Sequence, residues 1–365
     1  MIEFTYFHSY KSIPMHLSKE VYRDEHSTHT KQIFYNDKKK VSGILETGKH
    51  SSAEHGLLSV YEYTGENYRI VKYGHETKSY AIFKAKGHTI LGAGNWHAID
   101  EALSTREYKF EKELLVSDHY HDIRYGTKQS VNYTYENGLK VSETSVNEDG
   151  TALKTNYTYH NGILQSKLLL NNNQFSGQFI YVYGNNNVLL EEQQFGKHKD
   201  TQFMAAQKKF FYNAKKEVEK TEYYGRYNGK MVLYRTEEAI RQGNVLTKKE
   251  SSVSSIEQVI GYYDLSALHD TLKERGMDWA VSMYDAGYAD RAVFDAHSCS
   301  IEKYDDKGNV SELKQVDPQT RETFSTTFFR NEYNEKSQLE FTICYKVVDD
   351  RKMEESSIRK FYYLD

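Results

Sequence analysis

Residues 133–139 read YTYENGL, residues 157–163 read YTYHNGI, and residues 181–188 read YVYGNNNV. Each copy places an aromatic residue, one further residue, a tyrosine, a polar turn and an aliphatic residue in the same order. The second tyrosines of the copies, Tyr135, Tyr159 and Tyr183, are 24 residues apart each time. A fixed period in this range is the sequence signature of a repeat architecture. The chain is therefore predicted to consist of copies of one small unit.

Each unit is predicted to be a β-hairpin. The alternation of Tyr133 and Tyr135 places both rings on one face of a strand. Asn-Gly pairs at 137–138, 161–162 and 228–229 favour two-residue turns, because both residues accept positive φ. We therefore expect a mainly β fold, an elongated antiparallel sheet of Tyr-rich hairpins supported by cross-strand tyrosine pairs.

Looser copies extend the pattern in both directions. They read FYNDKKKV at 34–41, FYNAKKEV at 211–218, YDDKGNV at 304–310 and YNEKSQL at 333–339. The phrase at 304–308 resembles the YD repeats of Rhs-type proteins. The phrase at 133–138 is similar to bacterial MORN-variant repeats, some of which occur in proteins described as antitoxins. These resemblances imply a β-hairpin architecture and a role in bacterial conflict systems.

Residues 255–287 break the pattern and predict a small helical insertion. Asp264 can cap a helix with apolar residues at 265, 268 and 272, and Gly276 can end it. A second helix is predicted from Asp278 to Gly287, and it contains Trp279. A smaller helical piece is predicted at 96–103.

The chain is divided by composition into four segments. They are a His-rich β region at 1–125, Tyr-rich hairpins at 126–254, the helical insertion at 255–297, and closing hairpins at 298–365. The alternative is one continuous sheet.

Composition restricts the class of partner and the compartment. The 48 basic and 52 acidic residues give a net charge of −4 without long runs of one sign, which argues against a nucleic-acid partner. The first residues lack the pattern of a signal peptide, and no apolar stretch approaches the roughly 20 residues of a membrane span. The chain is therefore predicted to be cytoplasmic, without a membrane partner. Its two cysteines, Cys299 and Cys344, do not predict a disulfide framework.

One histidine pair could bind a metal ion. His119 and His121 lie in the segment DHYHD, and on a strand they share one face. Two imidazoles so placed can bind one transition metal if another ligand, such as His97 or His75, completes the site. The alternative interpretation is exposed polar strand residues, and no cofactor is predicted.

The tyrosines favour protein binding over catalysis, because tyrosine is enriched at protein interfaces. The residues predicted to contact a partner are Tyr135, Tyr159, Tyr183, Tyr227, Trp279 and Tyr284. The leading hypothesis is a non-enzymatic immunity protein that neutralises a cognate toxin by occlusion. Two alternatives stay open: a glycan-binding or surface-structural repeat protein, and a metal-dependent enzyme that uses His119 and His121.

Overall fold

The protein is mainly β, as the sequence predicts. The computed structural model describes residues 17–363 with gaps at 25, 37, 51–52, 76–79, 86–87, 95–101, 199, 228, 254–264, 286–294 and 350–351. The strands of the first half are β1 (Leu17–Asp24), β2 (Ser27–Tyr35), β3 (Val41–His50), β4 (Ala53–Thr64), β5 (Asn67–His75), β6 (Tyr80–Ala85), β7 (His88–Gly94), β8 (Ala102–Glu111), β9 (Leu114–Asp122), β10 (Lys128–Glu136), β11 (Leu139–Asn147), β12 (Ala152–His160) and β13 (Ile163–Asn171).

The second half contains the remaining strands and both helices. They are β14 (Gln174–Tyr183), β15 (Leu189–His198), β16 (Thr201–Tyr212), β17 (Val218–Tyr227), β18 (Lys230–Gln242), β19 (Val245–Ser252), α1 (Leu265–Glu274), α2 (Asp278–Asp285), β20 (Asp295–Tyr304), β21 (Val310–Val316), β22 (Thr323–Tyr333), β23 (Leu339–Asp349) and β24 (Lys352–Tyr363). One turn of 3-10 helix, Asn185–Asn187, joins β14 to β15.

Twenty-two of these strands belong to one hydrogen-bonded sheet, and β6 and β7 pair with each other. Consecutive strands pair along the chain, with β5 next to β8. The order returns to its start, because β1 pairs with β2 and also with β24. The predicted elongated sheet is therefore wrong. A linear meander leaves its first and last strands with unpaired backbone groups, whereas pairing between residues such as Glu20 and Phe361 joins them here.

Two of the three predicted Asn-Gly pairs form two-residue turns, and Asn228 of the third pair lies outside the described residues. The φ angles are 51° at Asn137, 77° at Gly138, 50° at Asn161 and 77° at Gly162. Positive φ at both central residues is the requirement of a type I′ turn, whose twist matches that of the flanking strands. Short-range sequence chemistry therefore determines these hairpins.

Four other loops share a second geometry, in which an Asn or Asp side chain holds the turn. The Oδ1 atom accepts hydrogen bonds of 2.9–3.0 Å from the backbone N–H groups two and four residues later. The residue three positions after it has a φ between 57° and 83°. The loops begin at Asn36, Asn213, Asp305 and Asn334. Such side-chain bonds mimic a backbone turn, so the four loops have the same structure. In three of them a residue other than glycine adopts the positive φ, and in the fourth it is Gly308.

The chain forms two compact units, which are described separately. Unit 1 comprises Met1–Ser130 and Thr327–Asp365, and unit 2 comprises Val131–Thr326. In unit 1, Leu45 opposes Leu58 and Val60 opposes Val71 across neighbouring strands, and all four are at most 6% exposed. In unit 2 the buried apolar residues are Tyr181, Val253, Leu272, Val281, Cys299 and Val316.

The helical insertion is confirmed in its described part. Helix α1 ends as predicted at Gly276, which has a φ of 67°. The Met277 N–H donates to the Leu272 carbonyl at 2.8 Å and the Gly276 N–H donates to the Lys273 carbonyl at 2.9 Å, the two bonds of a Schellman motif. Asp264 and Gly287 lie outside the described residues.

The smaller helical piece predicted at 96–103 is wrong where it can be checked. Ala102 and Leu103 begin strand β8, in which Ala102 pairs with Tyr73, and residues 96–101 lie outside the described part. Pairing with β5 decides the conformation here, since tertiary contacts override weak local propensity. Across the described ranges, no helix is long and apolar enough to cross a membrane.

Candidate functional site

The helical insertion of unit 2 interrupts an otherwise ordinary hairpin. It connects β19 to β20, which pair directly at Ser252 and Asp295. The connection runs over residues 253–294, whereas most hairpin loops need two to five residues. The connection therefore adds two helices that the β-hairpin itself does not require. We call this end of the unit 2 strands the helix-pair end.

Trp279 is the most distinctive side chain of the insertion. Leu272 of α1 and Val281 of α2 are 8% and 7% exposed, so the helices bury an apolar side chain each. Trp279, in the first turn of α2, is 56% exposed. The Ser282 hydroxyl donates to the Trp279 carbonyl at 2.8 Å. The indole is therefore displayed from an ordered helix, and tryptophan is the residue type most enriched at the energetic centre of interfaces.

Strand direction brings two further aromatic residues to the helix-pair end. Tyr227 is the last residue of β17 and is half-buried, and Phe324 is the second residue of β22 and is 70% exposed. Sequence reasoning identified Tyr227 and missed Phe324. Its only sequence signal is an aromatic residue that lies outside every repeat phrase.

The other predicted contact residues do not lie with Trp279. Each of the three repeat tyrosines lies at the end of its strand: Tyr135 and Tyr159 are the second-to-last residues of β10 and β12, and Tyr183 is the last residue of β14. These strand ends lie opposite the helix-pair end. The backbone of Tyr284 belongs to α2, and its side chain lies outside the described part. The six predicted residues therefore do not form one cluster.

Tyrosines that end repeat strands have a structural role. Their hydroxyl donates to the backbone carbonyl at the start of the preceding strand, at 2.6–3.0 Å. The pairs are Tyr63 with Val41, Tyr159 with Lys140, Tyr212 with Leu189, and Tyr363 with Leu339. These hydroxyl bonds join each strand to the one before it. Beside Tyr159 and Tyr212 the register shifts in the pairing with the strand that follows.

One face of unit 2 carries a ladder of rings and charges across β15 to β19. Lys208 forms an ion pair with Glu192 at 3.1 Å, and its ammonium lies 5.9 Å from the Tyr223 ring. The Arg235 guanidinium lies 5.2 Å from the same ring and pairs with Glu250 at 3.1 Å. Cations at these distances are attracted by an aromatic ring. The ladder is internally paired, so it supplies a polar, ordered surface.

Tyr223 remains protonated over a wide pH range. Burial and the 2.7 Å hydrogen bond that its hydroxyl donates to Glu237 raise the pKa of Tyr223 to about 12. The opposite face is polar as well, since Lys220 pairs with Glu222 at 2.8 Å and Tyr224 donates to Glu222 at 2.7 Å. Lys208, Arg235 and Lys220 are 35–44% exposed, so charged groups on both faces reach water.

The predicted histidine pair lies on β9, and both residues are half-buried. The Nδ1 atom of His119 is 2.9 Å from the Ser130 hydroxyl, so one of its ring nitrogens has a partner. His97 and the side chain of His75 lie outside the described part. Among the described residues, no group of three His, Cys, Asp or Glu side chains could hold a metal ion. The metal site therefore stays a prediction. Cys299 and Cys344 are free, and Cys299 is 1% exposed.

Unit 1 contains an aromatic cluster that the sequence analysis did not single out as a site. The Tyr68 ring lies 4.7 Å from that of Tyr108, 5.7 Å from that of Tyr63 and 6.3 Å from that of Tyr61. Burial, followed by the neighbouring tyrosines, raises the pKa of Tyr61 to about 12. A possible signal was the tyrosine alternation at 61–63, but the cross-strand members come from distant segments.

Comparison with known proteins finds similarity to solved structures alone. No family model matches the chain, and no curated protein matches it. A porin-like protein from Bacteroides uniformis is 11% identical with a TM-score of 0.24, and the match covers 95% of this chain and 98% of that one. A porin-like protein from Bacteroides vulgatus is 10% identical with a TM-score of 0.19, with coverages of 95% and 98%. The TcdB2-TccC3-Cdc42 structure is 8% identical with a TM-score of 0.30. That match covers 90% of this chain, which spans only 21% of the matched chain.

The predicted cytoplasmic location is corrected here. Two of the matched structures are porin-like proteins, and the strand order of this chain closes from β1 to β24. Cytoplasmic residence was inferred from the absence of a signal-peptide pattern and of long apolar runs, and the second rule applies to helical spans. It is not retained. The identities and TM-scores are too low to carry an argument about function.

Proposed function

We propose that this chain is a non-enzymatic protein-binding protein whose partner docks at the helix-pair end of unit 2. The observation that carries the proposal is the 56% exposure of Trp279 on a helix whose Val281 side chain is only 7% exposed. Placing an indole in water gives up the free energy that its burial would contribute, roughly 25 cal/mol per Å². A partner that covers the ring recovers that free energy.

The surroundings of Trp279 suit a protein interface. Typical interfaces have an aromatic centre and a polar rim. Phe324 and Tyr227 supply further rings at this end, and Lys273, Glu274 and Asp278 are exposed on the helices. The rim thus mixes both charge signs.

The concrete form of the proposal is an immunity protein that neutralises a toxin by covering its working surface. Occlusion needs a large ordered surface and no chemistry of its own. The hydrogen-bonded loops and the tyrosine-to-carbonyl bonds supply that order, which lowers the entropic cost of binding. The mild net negative charge of −4 would speed association with a basic toxin.

The test is co-expression with the proteins encoded beside this chain, followed by affinity capture and a binding titration. We expect one stoichiometric partner and loss of its toxicity when this chain is present. Trp279→Ala should weaken binding by about 30-fold or more, since central tryptophans contribute roughly 2 kcal/mol or more.

Phe211→Ala is the matched control. Phe211 is also an exposed aromatic residue of unit 2, at 44%, but it lies near the end of β16, opposite the helix-pair end. Its replacement should change affinity by less than about threefold. Absence of tight binding to any neighbouring protein would refute the immunity role. Equal effects of both variants would refute docking at the helix-pair end.

A further inference from the structure

We propose that unit 1 carries a second site, a groove that binds an acidic sugar through Lys72. The groove lies on one face of the unit 1 sheet and encloses a cavity of about 240 Å³. Strands β4, β5 and β8 line its floor with Ser59, Tyr61, Lys72, Ser104, Arg106 and Tyr108. The site is distinct from the helix-pair end, and nothing in the protein-binding proposal depends on it.

Register places Lys72 between two serines. It pairs directly with Ser59 on β4 and with Ser104 on β8. Directly opposed residues of antiparallel strands have Cβ atoms about 4.5–5.5 Å apart. Ser59 and Ser104 are 6% and 7% exposed, whereas Lys72 is exposed. Lys72 thus lies between two serines on one face of the sheet.

The charge of Lys72 is available for a ligand. In the described residues of the chain, no carboxylate lies within ion-pair distance of it, whereas the other charged groups of the groove have partners. Lys31 pairs with Glu46 at 3.8 Å. Arg106 pairs with Asp118 through two hydrogen bonds of 2.8 and 2.6 Å. A carboxylate that reaches Lys72 would form a charge-assisted hydrogen bond, which is about twice as strong as a neutral one.

The remainder of the groove fits a polyhydroxylated ring. Tyr61 and Tyr108 offer ring surface and hydroxyl groups on the next rows of the same face. The Tyr61 hydroxyl can donate at neutral pH, because an ordinary tyrosine pKa is already about 10 and burial raises that of Tyr61 further. The volume lies below the roughly 300–1,000 Å³ of sites for drug-sized ligands. These features together favour one sugar ring that carries a carboxylate.

A phosphate ligand fits less well. Phosphate recognition favours a bidentate guanidinium or backbone N–H groups at a helix N-terminus. The Arg106 fork is occupied by Asp118, and the groove is lined by strands. A single ammonium matches a singly charged carboxylate.

The experiment is isothermal titration of the full chain with glucuronate, glucose and inorganic phosphate as separate probes. We expect glucuronate to bind at least about tenfold more tightly than glucose, the factor expected from a hydrogen bond between charged groups. Lys72→Gln should reduce glucuronate affinity to that of glucose. Lys72 is exposed, so near-ultraviolet circular dichroism should show an unchanged fold.

Lys109→Gln is the control. Lys109 is exposed on β8, one residue after Tyr108, so it lies on the opposite face of the sheet. This variant should bind glucuronate like the unmodified chain. Equal affinities for glucuronate and glucose, tighter binding of phosphate, no binding of any probe, or an unchanged affinity in Lys72→Gln would each overturn the proposal.

Discussion

Replacement of Asn213 by alanine tests the structure of the repeat loops. The Asn213 Oδ1 accepts from the Lys215 N–H at 2.9 Å and from the Glu217 N–H at 3.0 Å. The variant removes this acceptor and also the 3.0 Å hydrogen bond that Asn213 Nδ2 donates to Glu217, and it leaves the backbone bond from the Asn213 N–H to the Glu217 carbonyl. A typical hydrogen bond contributes about 0.5–1.5 kcal/mol net. The freed amides are exposed to water, so we expect the lower part of that range for each.

The expected loss is therefore about 1–2 kcal/mol in the free energy of unfolding. The assay is urea denaturation followed by tyrosine fluorescence, with the free energy taken from the midpoint and the slope. Asn213→Asp should restore only part of the loss. It keeps the Oδ1 acceptor, as Asp305 does in the equivalent loop, but it exchanges the Nδ2 donor to Glu217 for a second negative charge.

Lys215→Ala is the control for this loop. Lys215 contributes its backbone N–H to the turn, and its exposed side chain has no described role, so the variant should unfold like the parent chain. If Asn213→Ala were as stable as the parent chain, the side-chain acceptor would not hold the loop.

Two further predictions follow from the tyrosines. Tyr212→Phe should cost about 1 kcal/mol, because it removes the 2.6 Å hydrogen bond to the Leu189 carbonyl, whereas Tyr362→Phe, at a residue 45% exposed, should be nearly neutral by the same urea assay. The free energy of unfolding should also fall as the pH rises from about 10 to about 12. The folded-state pKa of Tyr61 is about 12, above its ordinary value of 10.0, so the unfolded chain loses this proton at a lower pH than the folded chain does. Tyr223 also has a pKa of about 12, so tyrosinate absorbance should show one fewer late-titrating tyrosine in Tyr61→Phe than in the parent chain. A titration identical to that of the parent chain would contradict this reasoning.

The local part of the fold was accessible from the sequence. Alternating tyrosines and Asn-Gly pairs predicted hairpins, and the positive φ angles of Asn137 and Gly138 confirm the reason. Gly276 predicted the end of α1 for the same kind of reason, since glycine adopts positive φ without a steric cost. These features depend on a few neighbouring residues.

The candidate sites were only partly accessible. Trp279 stood out as one of two tryptophans. Its exposure depends on which faces of α1 and α2 pack inward, and those are the faces that carry Leu272 and Val281. The Lys72 groove left no sequence signal, because Ser59 and Ser104 reach it through strand register. Register between distant segments is set by many weak pairings and cannot be read from any one of them.

The sequence by itself determined the β-hairpin unit, its turns and the helical insertion, because backbone sterics and short side-chain-to-backbone bonds act over a few residues. The tertiary structure alone decided that β1 pairs with β24, that the Tyr159 hydroxyl donates to a backbone carbonyl, and that Trp279 is exposed to water. Each of these depends on contacts between residues far apart in the chain. Bringing such residues together costs chain entropy, and only the free energy of the whole fold offsets that cost.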